Sequence, residues 1–337
     1  MMKTAGRILF IILETLLLLV LAVYMVLFVI MRGPSETARN LMVRSLKESS
    51  ALKFVPSLCL SQSTIDGIMT ESTTVSEYTH DTSLVNIATA TESEDGADEW
   101  GLIDEDGDGI ILEEVRGSTY TGYMMIVKDP SRVIVGCTPF EGHEVGEYVE
   151  MYGAVAGING GGFEDDGGMG DGSTPDSIVV SEGKIVNEWA GTKNSFVGID
   201  ENYNLRVDCQ TGSAIEEAGI VWGCGYGPIL INNGKIVVSE EASGGLNPRT
   251  AIGQRSDGAI LLLVIDGRHV ASLGASYMDE AEVMLRYGAV NAANMDGGSS
   301  SLMYYNGEYV NNEAFVIGIR DIPTTWLVMP EGWTYEK

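Results

Sequence analysis

The sequence predicts an α+β protein dominated by β-sheet, with a few helices and one N-terminal transmembrane helix in front. Two observations carry this prediction. From about Ile110 onward, short β-rich apolar runs alternate with turn pairs such as Asn-Gly and Asp-Gly, which is the pattern of antiparallel hairpins. Before that point, the run from Ile8 to Met31 is almost wholly apolar and long enough to cross a bilayer.

The N-terminal run is predicted to be a single anchor covering residues 1–34. Glu14 is its only charge, and the segment Met31–Pro34 follows where a cleaved signal peptide would carry small residues. Basic residues flank the run on both sides, so the positive-inside rule gives no orientation. These residues are Lys3, Arg7, Arg32, Arg39, Arg44 and Lys47.

Residues 35–109 are predicted to be a juxtamembrane helix followed by a polar, acidic stalk. Ser35 can cap a helix that runs toward Leu60 and is ended by Pro56. Residues 61–99 are rich in Ser, Thr, Glu and Asp, as a solvated spacer would be. The catalytic domain is then expected at residues 110–330.

An acidic motif precedes the first predicted strand. Asp104, Asp106 and Asp108 alternate and Gly109 takes the sixth position, as in an EF-hand loop. Val115 stands where that loop needs Glu, so an acidic linker is the favoured interpretation. We predict no cofactor, although a divalent cation such as Ca²⁺ or Mg²⁺ stays open.

The four cysteines are widely spaced and lack the CxxC and histidine spacing of a zinc site. Cys209 and Cys224 could form a disulfide in an exported domain, and buried free thiols are an equal alternative. The net charge of −28 argues against nucleic acid as a partner and makes any cluster of arginines informative.

Within residues 110–330, five turns separate apolar runs, and two helices interrupt the strands. The turns are predicted at Lys128–Ser131, Glu182–Gly183, Asp200–Tyr203, Asn233–Gly234 and Asp257–Gly258. The helices are predicted at Glu144–Tyr152, ending at Gly153, and at Ser276–Tyr287, ending at Gly288.

A short pattern occurs twice: the letters YGAV begin at Tyr152 and again at Tyr287. Each copy predicts the end of a helix, a short buried strand, and an Asn beside glycines at the strand exit, namely Asn159 and Asn294. Consecutive glycines weaken a strand but suit backbone that bends sharply or approaches a ligand. We therefore expect both loops to lie on one side of the domain, with two ordinary tight turns as the alternative.

A third apolar strand, Ile260–Ile265, runs into Asp266, Gly267 and Arg268. Arg249 stands just before the strand that the Asp257–Gly258 turn would pair with it, so Arg249 and Asp266 are expected at the same end of adjacent strands.

Four motifs in this order resemble those of the phosphodiester glycosidases, the family that includes N-acetylglucosamine-1-phosphodiester alpha-N-acetylglucosaminidase. The likeness covers roughly Glu114 to Met329. The motifs are Asn159-Gly160-Gly161-x-Phe163, Asn247-Pro248-Arg249-Thr250-Ala251, Asp266-Gly267-Arg268 and Asn294-Met295-Asp296-Gly297-Gly298-Ser299-Ser300.

The resemblance implies a hydrolase that cleaves a sugar-1-phosphodiester at the glycosidic carbon. The leaving phosphomonoester is a weak base, so cationic stabilisation matters more than a strong general acid. Asp296 is the expected base or nucleophile, Asp266 its orienting partner or a second acid, and Arg249 and Arg268 are the expected phosphate ligands. The expected substrate-binding residues are Asn159, Gly160, Gly161, Phe163, Gly267, Arg268, Asn294, Gly297, Gly298 and Ser299.

The expected protein is thus a single-pass cell-membrane enzyme whose catalytic domain is extracellular and acts on surface polysaccharide or exopolysaccharide of the cell envelope. Two alternatives stay open. One is a metal-dependent phosphodiesterase using Asp266, Asp296 and the acidic Glu164–Asp166 segment. The other is a non-catalytic glycan-binding wall protein.

Overall fold

The computed structural model describes residues 2–49, 52–70, 78–87, 97–138, 140–164, 170–188, 195–239, 244–312 and 318–335. Asp165 and Asp166, two of the candidate metal ligands, lie outside these ranges. The chain forms two compact units, Met1–Glu71 and Ser72–Lys337.

Among its described residues, the first unit contains the α-helices α1 (Met2–Arg32), α2 (Glu36–Lys47) and α3 (Gln62–Thr70). Within Gly6–Arg32 of α1, an 18-residue window has a mean hydropathy of 2.8, so the stretch is long and apolar enough to cross a membrane. The Ser35 hydroxyl accepts a hydrogen bond from the backbone N–H of Ala38 at 3.2 Å, so the predicted cap of α2 is confirmed.

The segment after α2 differs from the prediction. The helix ends at Lys47 instead of reaching Pro56, and α3 occupies the start of the segment predicted to be a polar stalk. Ile65 and Ile68 of α3 are buried and pack with Val43 of α2. Two apolar residues three positions apart are too weak a pattern to predict a nine-residue helix, and its stability comes from this packing.

The second unit contains α4 (Val145–Tyr152), α5 (Gly212–Glu217) and α6 (Tyr277–Arg286). Its strands are β1 (Ile110–Arg116), β2 (Thr121–Val127), β3 (Val133–Cys137), β4 (Ala156–Asn159), β5 (Val179–Ser181), β6 (Lys184–Asn187), β7 (Ser195–Asp200), β8 (Leu205–Arg206), β9 (Ile220–Tyr226), β10 (Ile229–Asn232), β11 (Lys235–Ile236), β12 (Arg249–Arg255), β13 (Ile260–Ile265), β14 (Ala289–Asn294), β15 (Met303–Tyr305), β16 (Glu308–Tyr309) and β17 (Thr324–Val328).

These strands form three antiparallel sheets, so the predicted α+β, sheet-dominated class is confirmed. The largest sheet has seven strands in the order β1-β2-β13-β12-β14-β10-β11. The two five-stranded sheets have the orders β16-β15-β4-β17-β3 and β6-β5-β9-β7-β8.

Four predicted turns join paired strands as expected, giving the hairpins β5–β6, β7–β8, β10–β11 and β12–β13. The turn at Lys128–Ser131 is different. It contains the short 3₁₀ helix Pro130–Arg132 and sends β2 and β3 into different sheets.

The largest sheet is buried on both faces, which explains the unbroken apolar run of β13. Ile260, Leu262 and Val264 belong to the core shared with the other two sheets. The alternating residues Leu261, Leu263 and Ile265 face a second core, which includes residues of α6. Because both faces of β13 are covered, the chain can place polar chemistry only where the strand ends.

Segments predicted to belong to the stalk pack onto the second unit. The side chain of Asp98 accepts a hydrogen bond from the buried Arg255 at 2.7 Å, and Trp100 lies 3.9 Å from the same guanidinium. The backbone N–H of Asn86 donates to Ser256 at 2.7 Å. The division into anchor, stalk and catalytic domain stays a prediction, but these parts of residues 35–109 contact the sheet domain.

The four cysteines are free thiols, and Cys209 and Cys224 lie in different apolar clusters. Burial raises the pKa of Cys224 to about 12 and that of Cys209 to about 11, so both thiols stay protonated at neutral pH.

Candidate active site

The exits of β4 and β14 meet in space. The side-chain amide of Asn159 donates to the backbone carbonyl of Asp296 at 2.6 Å, and the N–H of Asp296 donates to the Gly160 carbonyl at 3.1 Å. The prediction that the two loops lie on one side of the domain is therefore confirmed.

Both asparagines are fully buried and hold these loops in place. The amide oxygen of Asn159 accepts hydrogen bonds from the Thr250 hydroxyl at 2.7 Å and from the N–H of Leu302 at 3.2 Å. Asn294 donates to the Gly227 carbonyl at 2.6 Å. Direct contact of Asn159 or Asn294 with a substrate stays a prediction.

The three glycines after Asn159 allow other segments to approach closely. A β-carbon on Gly161 would lie 2.5 Å from the Gly225 carbonyl oxygen. One on Gly162 would lie 2.5 Å from the Tyr226 ring and 2.7 Å from a carboxylate oxygen of Asp176. The missing side chains thus bring Tyr226 and Asp176 against the loop.

Asp296 is the carboxylate at the centre of this arrangement. It is partly exposed, and one of its oxygens accepts the N–H of Gly297 at 3.0 Å. Burial raises the pKa of Asp296 to about 6, and the negative charge of Asp176 acts in the same direction. The Ser300 hydroxyl and the positive charge of Arg320 act in the opposite direction.

Asp176 and Tyr226 were not among the sequence-predicted residues. The charge of Asp296 is the largest cause that holds the pKa of Tyr226 well above its ordinary value, followed by burial. Tyr226 is therefore a neutral hydrogen-bond donor beside two carboxyl groups. Asp176 follows Pro175 in an irregular segment instead of a strand exit, so the strand pattern gave no signal for it.

Three arginines border the loop that follows Asp296. A β-carbon added to Gly297 would lie 4.0 Å from a guanidinium nitrogen of Arg249. A β-carbon added to Gly298 would lie 3.0 Å from a guanidinium nitrogen of Arg268. Arg320 donates to the Ser299 hydroxyl at 3.5 Å. Three guanidinium groups beside one glycine-containing loop are suited to an anion in a chain of net charge −28, and binding of one stays a prediction.

Arg249 is held rigidly beneath the site. Its guanidinium donates to the carbonyls of Ala275 at 3.0 Å and Gly245 at 2.7 Å, and its centre lies 3.9 Å from the Tyr277 ring. The charge of Arg249 also acts on Glu280, which is fully buried. Among the described residues, both carboxyl oxygens of Glu280 lack a hydrogen-bond partner. Burial raises the pKa of Glu280 well above its ordinary value.

Arg268 and Arg320 are positioned differently. Arg268 donates to the side chain of Asn247 at 3.1 Å and has a left-handed backbone (φ 63°), which is uncommon outside glycine. Arg320 stacks 4.9 Å from the Phe163 ring, so the predicted Phe163 does reach the site. Sequence reasoning missed Arg320, because it is a single arginine in an irregular segment before β17.

The role predicted for Asp266 stays a prediction, although its observed contacts lie with another segment. Arg249 does lie opposite Ile265 in the β12–β13 register, so the two strands end together as expected. However, the Asp266 carboxylate accepts hydrogen bonds from both Asn311 and Asn312, at 2.8–3.1 Å. It anchors that segment, and the carboxylate whose charge acts on Asp296 is Asp176.

The acidic side chains that could share one metal ion, among the residues that the structure describes, are Asp104, Asp106 and Asp108. Asp104 also accepts the N–H groups of Gly107 and Gly109 and pairs with Lys128 at 3.3 Å. This cluster precedes β1 and is separate in sequence from the loops around Asp296.

A sheet-rich domain with two carboxyl groups set among guanidinium groups is suited to chemistry on an anionic substrate. Residues 152–329, slightly more than half of the chain, match the family model described as phosphodiester glycosidase. The chain therefore belongs to the phosphodiester glycosidase family, as the four motifs suggested.

Individual relatives are similar to this chain over only part of their length. N-acetylglucosamine-1-phosphodiester alpha-N-acetylglucosaminidase of Bos taurus is 30% identical over 194 residues, which cover 51% of this chain and 35% of the relative. The SPbeta prophage-derived uncharacterized protein YomE of Bacillus subtilis is 44% identical over 66 residues, which cover 20% of this chain and 10% of the relative. The chain thus matches about a third or less of the length of these relatives.

The fold is shared with a solved structure. The catalytic domain of the zebrafish N-acetylglucosamine-1-phosphodiester alpha-N-acetylglucosaminidase, auto-inhibited by its pro-peptide, superimposes with a TM-score of 0.53 at 19% identity. The superposition covers 77% of this chain and 97% of the zebrafish chain.

Proposed function

We propose that this chain is a membrane-anchored, extracytoplasmic glycosidase that hydrolyses the glycosidic bond of sugar-1-phosphodiesters in surface or extracellular polysaccharide. The observation that carries the proposal is the position of Arg249, Arg268 and Arg320 around the loop of Asp296. Guanidinium groups bind phosphodiester oxygens well, because their planar fork forms paired hydrogen bonds.

The arginines hold the phosphate of the substrate and stabilise it as it leaves. When the bond between the anomeric carbon and the phosphate oxygen breaks, its electron pair stays on the phosphate. The additional negative charge develops beside fixed guanidinium groups, which need no reorganisation at that moment. Arg249, held by two backbone carbonyls and the Tyr277 ring, is the most rigid of the three.

Asp296 supplies the carboxylate at the anomeric carbon. As a base it takes a proton from the water that attacks this carbon; as a nucleophile it bonds to the carbon and is released by water in a second step. Asp176 is the second acid or base in place of Asp266, and Tyr226 donates a hydrogen bond to a carboxylate or a sugar oxygen. The distance between the two carboxyl groups in the substrate complex decides between inversion and retention.

Helix α1 supports the anchor in the proposal, since Gly6–Arg32 is long and apolar enough to span a bilayer. A catalytic domain outside the membrane meets glycan phosphodiesters of the cell surface directly.

Hydrolysis in water labelled with heavy oxygen tests the proposal. The full-length protein is incubated with a panel of sugar-1-phosphodiesters, and Asp296→Asn serves as the inactive control. Label in the anomeric hydroxyl of the sugar is the expected result. Label in the phosphate, with loss of activity on exhaustive chelation, would identify a metal-dependent phosphodiesterase. Binding without turnover under any metal condition would identify a glycan-binding protein.

A further inference from the structure

The first unit has an apolar surface on the turn formed by residues 52–58, whose second half is the 3₁₀ helix Val55–Leu58. Leu52, Phe54 and Leu58 are 46%, 59% and 57% exposed. Lys53 lies between the first two and is also exposed. Three large apolar side chains exposed within seven residues are unusual on a water-facing surface and mark a contact site.

The same turn is fixed against the end of α1. Val55 and Cys59 are buried with Met31, and Leu27 packs against this cluster. The guanidinium of Arg32 donates to the Cys59 carbonyl at 2.7 Å, which ties the segment to the last residue of the helix.

This packing fixes how deep the turn would lie in a bilayer that α1 spans. The apolar stretch Gly6–Arg32 has 27 residues, and a hydrocarbon core takes about 20 residues of helix. With the apolar run centred in the bilayer, the last turns of α1 would lie at the boundary between hydrocarbon and headgroups. Leu27 and Met31 still belong to the apolar run, so a turn packed beside them lies at that boundary too.

We propose that residues 52–58 form a second membrane contact, an interfacial turn that inserts Leu52, Phe54 and Leu58 into the outer edge of the phospholipid bilayer. Lys53 meets headgroup phosphates, while the aromatic ring of Phe54 and the two leucines bury apolar surface. This inference rests on the proposed membrane anchor. Lipid is the expected occupant because the turn packs beside Leu27 and Met31 of the apolar run and carries the cation Lys53 beside its exposed apolar side chains.

Tryptophan fluorescence of the full-length protein in vesicles tests the interfacial turn. The five tryptophans of the chain all lie from Trp100 onward, so Phe54→Trp adds the first reporter to this unit. Vesicles of phosphatidylcholine and phosphatidylglycerol carry bromine either near the headgroup end or near the methyl end of the acyl chains. Bromine near the headgroup end should quench most of the fluorescence that Phe54→Trp adds, and bromine near the methyl end should quench less of it.

Leu19→Trp, at the middle of the apolar run, is the depth control and should lose its added emission mostly with methyl-end bromine. Leu52→Trp repeats the measurement at a second position of the turn, in case the first variant folds poorly. Quenching of Leu19→Trp without quenching of Phe54→Trp or Leu52→Trp would overturn the interfacial turn, with the surface covered by protein instead, and would leave the anchor intact. If Leu19→Trp is not quenched, the anchor itself fails and the interfacial turn with it.

Discussion

The charge of the Asp296 carboxyl group depends on its burial in the candidate site. Burial raises the pKa of Asp296 to about 6, and a base or nucleophile must be deprotonated to act. We predict that kcat/KM falls as the pH drops through about 6, because the protonated fraction of Asp296 grows there. A pH profile of kcat/KM on a sugar-1-phosphodiester measures this directly.

Asp176→Asn provides the paired measurement. The negative charge of Asp176 contributes to the raised pKa of Asp296, so the neutral amide should move the acidic limb of the profile to lower pH. An acidic limb that does not move would mean that Asp296 is not the group that titrates. If Asp176 is also the second acid or base, the plateau activity falls as well.

Replacement of single arginines separates phosphate binding from structural support. Arg249→Lys cannot reproduce the planar fork, and loss of a charged hydrogen bond costs about 1.5–3 kcal/mol. We therefore predict a loss of roughly 10- to 100-fold in kcat/KM on a phosphodiester, and a much smaller loss on an aryl glycoside whose leaving group has no phosphate.

Arg132→Lys is the matched control for Arg249→Lys. Arg132 is also buried and donates to backbone carbonyls, those of Met329 at 2.8 Å and Asp108 at 2.6 Å. It should reduce stability and affect both substrates equally. Equal losses on both substrates for Arg249→Lys would show that this arginine is structural.

Glu280 is predicted to destabilise the fold at neutral pH. Its folded-state pKa is raised by burial, so the native protein keeps a proton that the unfolded chain releases above about pH 4.3. Stability therefore falls as the pH rises above that value. Glu280→Gln lacks this titration, and its free energy of unfolding should exceed that of the parent at neutral pH.

Denaturant unfolding at several pH values measures this difference, which should shrink toward pH 4. A glutamine variant that is less stable than the parent at neutral pH would indicate that Glu280 is ionised and stabilised by Arg249.

At the scale of elements, the strand exits depend on close backbone contacts. A β-carbon on Gly161 would lie 2.5 Å from the Gly225 carbonyl, and backbone cannot move aside as a flexible side chain can. We predict that Gly161→Ala lowers the free energy of unfolding by about 1–3 kcal/mol. It should also reduce activity, because it pushes the segment that carries Tyr226 away from the loop that contacts Asp296.

Gly212→Ala is the control in the same unit. A β-carbon there would meet only Ile185, at an ordinary 3.6 Å, so a change within about 0.5 kcal/mol is expected. If Gly161→Ala and Gly212→Ala have the same free energy of unfolding, the close contact with Gly225 is not the reason for glycine at position 161.

Element types were predictable where the local pattern was strong. Turn pairs located four hairpins, and helix-ending glycines located α4 and α6. The pattern could not assign strands to sheets. The turn at Lys128–Ser131 separates β2 from β3, because the partners of these strands, β13 and β17, lie far away in sequence.

At the scale of the whole molecule, we predict that the catalytic unit begins earlier than the first strand. Asp98 bonds the nearly inaccessible Arg255, which also donates to Asp257. We predict that a chain beginning at Ser72 is soluble and active. In that chain, Asp98→Ala should cost about 1.5–3 kcal/mol, because it removes a charged hydrogen bond from a buried arginine.

Chemical denaturation of the chain beginning at Ser72, with and without Asp98→Ala, measures this difference in stability. Glu99→Ala changes the neighbouring, exposed carboxylate and should alter stability by at most about 0.5 kcal/mol. Equal stability of the Asp98 and Glu99 variants would place the start of the unit after these residues.

The sequence by itself determined the properties that neighbours along the chain control. These are the apolar helix α1, the sheet-rich class, the hairpins, the glycine-lined strand exits and the family, together with Asp296, Arg249 and Arg268 in its motifs. Periodicity, turn chemistry and motif spacing are local, so one sequence is enough to show them.

Only the tertiary structure decided which groups share the site. It placed Asp176, Tyr226 and Arg320 beside Asp296, from three segments that no local pattern connects. It also turned Asp266 toward Asn311 and Asn312. The charge on a carboxyl group depends on its burial and on the charges a few ångströms away, and long-range packing of the chain sets both.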